Sequence, residues 1–289
     1  MIIGYNDMKG IFSNLNALFT RSYPGFKFIM RLDGTATAAP ALIFGASAFA
    51  PMGAEFSALE LQAYRSYWGA DPVAVRVAHC SVDPRALSAP VGIFVNVQNP
   101  IDKLTTAQVE RIFSTGANAG DITQWGQLGL PGEWAGRAIH PCGIAEEAAA
   151  GLSAFMLSKM GKRPFTPLYD GFAQSAQVLQ RVGEDPAGIG FASGNLANPR
   201  TKVLAIAGND GRYFYPNSPA DIMSGNYAYD RYLYIYIRRS SRKAIDPFVK
   251  DYLRLVLSQE GQQAMADAVP RYLPLNAREI KEELLKLEQ

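Results

Sequence analysis

Apolar positions recur along the chain either at every second residue in short stretches or every third to fourth residue in longer ones, and the two patterns alternate. Residues 1–5 predict a strand, Asn6-Asp7-Met8 a turn, and Ile11, Leu15 and Leu18-Phe19 one face of a helix. After Pro24-Gly25, residues 26–32 predict a second strand. Gly34-Thr35 opens a loop, and Leu42-Ile43 lie on a helix that stops at Gly45. Residues 49–52 predict a short buried strand ending at Gly53, residues 58–67 a helix, and residues 73–77 an alternating strand. This β-α-β-α order implies a mainly parallel sheet with helices on its faces.

Residues 89–114 then change direction. Val91, Ile93, Phe94, Val95 and Val97 form a β-rich apolar run that Asn99-Pro100 stops. A helix follows with full start signals: Thr105 as cap, Gln108 as the reciprocal half of a capping box, and Leu104 placed to staple against Val109. Val109, Ile112 and Phe113 share one face. Such a strand, elbow and new helix is how a chain leaves one lobe for another. Beyond it the pattern predicts a strand at 138–141, a helix over 146–160, a helix carrying Val178-Leu179, and short strands at 188–191 and 203–206. A strong strand at 232–237 is the natural return crossing. Asp246 caps a helix with Pro247 at its first position, a shorter helix starts near Gly261, residues 271–275 are extended, and Asn276 caps a final helix in which Glu282 and Lys286 are spaced to pair.

Composition agrees with two lobes of ordinary size: 289 residues, 48% hydrophobic and 19% charged. A net charge of +2 argues against a polyanion binder, so no nucleic-acid partner is expected. The basic cluster Arg238, Arg239, Arg242 and Lys243 reads as a solvated turn. Cys80 and Cys142 are too few for a disulfide scaffold and fit no metal spacing, so they are expected to be free, buried thiols. No signal peptide is visible, and residues 36–54, broken by Pro40 and Pro51, are not a membrane span.

The order of segments resembles the phosphate-binding proteins of bacterial phosphate ABC transporters, which are type II periplasmic binding proteins. Gly34-Thr-Ala-Thr37 with Leu42 and Gly45 looks like the family's glycine-serine-rich loop and helix. Residues 96–114 look like its elbow, Asp121-Ile-Thr-Gln-Trp125 like its I-T-N-W turn, and Gly188-Ile-Gly-Phe191 like its G-I-G-Y. Residues 232–237, 257–262 and 272–275 are similar to its C-terminal signature. The resemblance covers nearly the whole chain. It implies an α/β, two-lobed type II periplasmic-binding-protein fold, each lobe a mainly parallel sheet flanked by helices, with two crossing strands as hinge. On this reading residues 1–97 plus 231–289 make lobe 1 and residues 98–230 lobe 2. It also implies a non-catalytic solute-binding role without a cofactor, a small-molecule ligand clamped in the cleft, an ABC transporter membrane component as partner, a monomer, and a periplasmic or cell-envelope location.

By resemblance the ligand loops are Tyr5, Asn6, Asp7 and Met8; Gly34, Thr35, Ala36 and Thr37; Gly53; and Gly143, Ile144, Glu146, Glu147 and Ala148. This chain departs from the family at almost all of them. The family's hydroxyl-plus-apolar pair is Asp7-Met8, and its second-loop serine is Thr35. Its polar group after the short strand falls at Gly53, its arginine at Ile144, and its Ser-Gly-Thr at Ala148-Ala-Ala150. A dianion would lose charge-assisted bonds worth about 1.5–3 kcal/mol each. The expected ligand is therefore not free phosphate. Asp7, Glu146 and Glu147 suit a cationic or polyhydroxylated molecule, with Tyr5, Met8 and Ile144 as apolar walls. The alternative is a ligand-independent sensor or interaction protein on the same scaffold. Two acids in a first helical turn are also favoured by the helix dipole alone.

Enzyme signatures are weak. His140 and Cys142 are two apart on a predicted strand, which would point both the same way. A thiol–imidazole pair at Cys142 could in principle be nucleophilic, but side chains so spaced rarely meet at hydrogen-bond range and no third orienting group is evident. The loop 34–37 lacks a P-loop lysine, and no metal-binding histidine pair accompanies it. The prediction is a binding protein, not an enzyme.

Overall fold

The computed structural model describes residues 1–147, 151–208, 210–239 and 245–288. The chain is a two-lobed α/β protein with two compact units, Met1–Ser88 with Arg231–Gln289, and Ala89–Asp230. The chain passes between them at Ser88/Ala89 and again at Asp230/Arg231.

The first unit opens with β1 (Ile2–Ile3), α1 (Lys9–Ser22), β2 (Met30–Arg31), α2 (Ala38–Ile43), β3 (Phe49–Met52), α3 (Ala58–Trp68) and β4 (Val73–His79). α3 carries a complete capping box, Ser57 with Glu60, and ends on left-handed Gly69. The strand predicted over 26–32 shrinks to two residues. It is an edge strand, and Phe26 and Phe28 turn instead into an aromatic cluster with Phe19 and Phe248.

The second unit runs through β5 (Val91–Asn96), β6 (Lys103–Leu104), α4 (Thr106–Phe113), β7 (His140–Ile144), α5 (Leu152–Lys159), β8 (Asp170–Phe172), α6 (Ser175–Glu184), β9 (Gly188–Ser193), β10 (Thr201–Val203), β11 (Ala205–Ala207), β12 (Tyr213–Phe214) and α7 (Pro219–Met223). One sheet has the order β10-β5-β9-β7-β8 and a smaller one β12-β11-β6. The apolar run over 203–206 therefore splits at Leu204 between two sheets. β5, expected in the first lobe up to residue 97, pairs with β9 and β10, so the divide falls before Ala89 and not after Val97. All six of its residues are buried, which a central strand between two neighbours requires. α4 begins as its sequence indicates. Gln108 accepts from the Thr105 amide at 2.8 Å, its own amide donates to Thr105 Oγ1 at 3.2 Å, and Val109, Ile112 and Phe113 are its buried face.

The return strand β13 (Tyr232–Ile237) inserts antiparallel between β3 and β4 and completes the first sheet, β2-β1-β3-β13-β4. Then α8 (Pro247–Val256), α9 (Gln259–Ala266) and α10 (Ala277–Lys286) close that unit. Asp246 caps α8 through the Phe248 and Val249 amides, and Asn276 with Glu279 boxes α10. Ile2, Met8, Phe12, Leu15, Val75, Ile235, Tyr252 and Val256 are among the residues of its core. Residues 271–275 are extended, with a single bridge from Leu273 to His79. Glu282 and Lys286 find other partners. Glu282 binds Arg76 at 2.7 Å, and Lys286 binds buried Glu283 at 2.6 Å and the Ala74 carbonyl at 2.9 Å. Arg76 of β4 thus takes up Glu282, while Lys286 pairs along α10 itself and reaches a β4 carbonyl. Among the described residues, no helix is long and apolar enough to cross a membrane.

Candidate functional site

In the first unit β1 runs parallel to both β2 and β3, so their carboxyl ends share one edge of the sheet. Loops at that edge are where open parallel sheets hold ligands. The loop after β1, the loop after β2 and Gly53 after β3 meet there: the Gly34 amide donates to the Gly4 carbonyl at 2.9 Å, and the Tyr5 amide to the Pro51 carbonyl at 2.9 Å. Gly34 has a φ of +128°, which favours glycine, and a one-turn helix Thr35–Thr37 follows it. Thr37 Oγ1 donates back to the Gly34 carbonyl at 2.8 Å. Asn6 and Ala36 are exposed, and Thr35 is half-buried.

β4 is parallel to β3 across β13, so its following loop, residues 80–88, ends on the same edge. Sequence reading missed this loop, although its place after a predicted parallel strand was the signal for it. Ser88 Oγ donates to the Gly53 carbonyl at 3.0 Å. A hydroxyl has one proton, so Ser88 Oγ is left to accept from the Tyr5 hydroxyl, 2.9 Å away. Burial pushes the Tyr5 phenol up to about 12, with Asp7 adding to the rise, so it stays a neutral donor. A Cβ on Gly53 would lie 2.5 Å from Tyr5 Cε1 and 2.6 Å from Ser88 Oγ. Tyr5 and Ser88 thus fill the space of the side chain that residue 53 lacks.

Asp7 is tied inward. Its Oδ2 accepts from the Leu87 amide at 2.9 Å and from the hydroxyl of fully buried Tyr272. Burial, then nearby Tyr5 and the bond to Asp7, raise the Tyr272 phenol, which keeps it a donor. Met8 has no exposed surface and belongs to the core. It is therefore not an apolar wall of the site, because the one-turn helix Asn6–Met8 rotates its side chain under the sheet.

In the second unit β7 is parallel to β8 and β9, and the predicted residues lie in its last two positions and just beyond its carboxyl end. Gly143 is buried, and a Cβ there would lie 2.5 Å from Phe191 Cε1 and 2.6 Å from the Tyr169 hydroxyl. That hydroxyl donates to the Ile144 carbonyl at 2.7 Å, and the Tyr169 ring stacks on Phe165 at 4.2 Å. The Ile144 side chain is 1% exposed, so it too packs inside instead of forming a wall. Glu146 and Glu147 are exposed in a turn, with α5 beginning only at Leu152 after Gly151. Ala148 lies outside the described residues. The sequence also did not single out Ser175 and Ser193, whose hydroxyls meet at 3.2 Å across the carboxyl end of β9.

The depressions of about 480 Å³ near Gln262, Pro274 and Ile280, and of about 590 Å³ near Asp71, Arg239 and Lys286, hold none of the predicted residues. Nor does the histidine–cysteine pair form. His140 is exposed and its Nδ1 lies 2.6 Å from Asp185, which Arg181 also holds at 2.9 Å. Cys142 is buried and its thiol is pushed up to about 12, the reverse of an activated nucleophile. Both cysteines are buried, and neither is in a disulfide. Arg238 donates to the Ser47 carbonyl at 2.7 Å, while Arg242 and Lys243 lie outside the described residues.

No family model matches the chain. It is 32% identical over 279 residues to the phosphate-binding protein PstS of two strains of Pseudomonas aeruginosa, covering 96% of this chain and 83% of that protein. Among solved structures it is similar to PstS from Borrelia burgdorferi, with TM-score 0.62 and 15% identity over 96% of this chain and 98% of that one. It is also similar to an ABC-type phosphate transport receptor from Vibrio cholerae, with TM-score 0.59 and 18% identity over 94% and 98%. These two likenesses show the fold.

Proposed function

The chain belongs to the family of PstS phosphate-binding proteins, and we propose that within it this chain binds a solute other than free phosphate. The observation that carries the reading is the Tyr5–Ser88–Gly53 set: where the family resemblance places a ligand-holding side chain, this chain has a tyrosine ring bonded to its own unit. Asp7 is spent on Leu87 and Tyr272, and the arginine position is buried Ile144. A micromolar affinity amounts to about 8 kcal/mol, and a phosphate here would lack the charge-assisted bonds that supply most of it. In the first unit the loops carry exposed Asn6 and half-buried Thr35, and in the second Glu146 and Glu147 are exposed. The two exposed carboxylates count against a dianion and suit a cationic or polyhydroxylated molecule.

Family membership supports a solute-binding, non-catalytic role, delivery to an ABC transporter membrane component, and a periplasmic or cell-envelope location. We take the working form to be a monomer. Native mass spectrometry of the purified protein, followed by thermal melting against a panel of polyols, amines and oxyanions, tests the ligand class. A midpoint raised by a polyol or amine and not by phosphate is expected, and a rise with phosphate alone overturns the reading. One observation favours a second reading, a ligand-independent sensor or interaction protein: Asp7, Ser88 and Tyr272 are satisfied within the first unit and need no ligand. A panel without any response, and no copurified molecule, would select it.

A further inference from the structure

We propose that Tyr5 is the specificity-determining residue of the first unit's loops, a built-in occupant that removes residue 53 from contact with any ligand. This rests on the reading that the loops do not hold phosphate in the family's manner. It adds the residue responsible and the shape of what it blocks.

Three observations converge. The Tyr5 ring has Cε1 and Cζ at 2.5 and 2.6 Å from where a Cβ on residue 53 would stand, so ring and side chain exclude one another. The phenol is fixed at its far end through Ser88, whose own proton goes to the Gly53 carbonyl, so the ring is locked to the residue it covers. Tyr5 is 7% exposed and Gly53 is buried, although Gly53 directly follows a strand at the edge where the loops converge. An ordinary core tyrosine needs none of this correspondence with a missing side chain. The plug has the size and polarity of p-cresol: an aromatic ring, a methyl in place of Cβ, and a hydroxyl that donates to Ser88. With it in place the first unit offers the ligand a neutral wall and, from residue 53, no side chain.

The test replaces the plug and asks whether residue 53 then looks outward. In Tyr5→Gly/Gly53→Cys, methyl methanethiosulfonate should modify the introduced thiol roughly 100-fold faster than buried Cys80 and Cys142 of the same folded molecule. In Tyr5→Gly alone, where residue 53 is still glycine, added p-cresol should raise the thermal midpoint by refilling the hole, and it should not do so in the double variant, whose introduced side chain stands in the same space. An introduced thiol as slow as Cys80 means residue 53 faces the core, and overturns the proposal. A Tyr5→Gly variant that p-cresol does not stabilise overturns the fitted plug. If the double variant does not fold, Gly53→Ala in the otherwise native chain carries the test. Its thermal midpoint should fall by several degrees, roughly 5 °C or more, and a variant that melts with the wild type overturns the matched fit. Titration of the unaltered protein with inorganic phosphate is run in parallel. Binding there sinks the function proposed above, whereas the labelling result judges Tyr5 alone.

Discussion

Asp7 separates a ligand residue from a tether by measurement. Asp7→Ala removes the acceptor of two bonds, one from the Leu87 amide and one from the Tyr272 hydroxyl. Bonds to a charged acceptor contribute about 1.5–3 kcal/mol each. Leu87 is 63% exposed, so its amide regains water and the loss there sits at the low end. Tyr272 is fully buried, and its orphaned hydroxyl carries a desolvation cost of about 1–3 kcal/mol. Together the first unit should lose about 3 kcal/mol. With a urea slope of roughly 2 kcal/mol per M for a unit of this size, its midpoint falls by about 1.5 M. The two units each contain one buried cysteine, Cys80 in the first and Cys142 in the second. Thiol modification against urea, read by mass spectrometry, therefore follows them separately. Only the Cys80 midpoint should move. Tyr272→Phe on top of Asp7→Ala should recover about 1–2 kcal/mol, because no hydroxyl is then left without an acceptor. A Cys80 midpoint that stays put, with ligand response altered instead, would refute the tether.

Three further outcomes are expected. Glu279 is buried at 1% exposure between His79 Nε2 at 2.9 Å and the Tyr232 hydroxyl at 2.8 Å. Burial works against its charge, but His79, the Asn276 amide and Tyr232 outweigh burial and hold its carboxyl below the usual range. A lowered folded value means stability that is present above the unfolded carboxylate value and lost as pH falls through the folded one. Glu279→Gln should cost about 3 kcal/mol at pH 7 and flatten the acid side of the Cys80 stability profile. An unchanged profile contradicts the assignment. Cys142, with its thiol pushed up to about 12, should resist iodoacetamide at pH 8 in the folded protein and react only in urea; fast alkylation would revive a nucleophilic role. Thr105→Ala should lower the Cys142 midpoint by about 1 kcal/mol in equivalent stability and leave Cys80 untouched, and a shift at Cys80 would contradict the division into units.

The best-read parts of the sequence were those set by neighbours a few residues apart. The Thr105/Gln108 box, the Asp246-Pro247 start and the Asn276 cap are local chemistry, and all three form. Features set by long-range pairing were harder. β5 looked like the last strand of the first lobe because only its partners β9 and β10, about 100 residues on, assign it to the second. Glu282 has the right spacing for Lys286 but lies next to Arg76 of β4. The same holds at the site. Loop positions around Tyr5, Thr35 and Gly53 were legible from the order of elements. That Tyr5 occupies the space above Gly53, that Ser88 bonds both, and that Tyr272 takes Asp7 were not, since these contacts join residues 35 to 265 positions apart. Met8 and Ile144 came to the site by resemblance, which gives a position in a loop but not the side to which its side chain turns, and both are buried.

Isothermal titration of the purified protein with inorganic phosphate addresses the central claim. At millimolar phosphate the account predicts no saturable heat and no rise in melting temperature. Micromolar binding would stabilise the protein by about 4 kcal/mol at a thousandfold excess over the dissociation constant, and a saturating one-to-one isotherm would contradict the account.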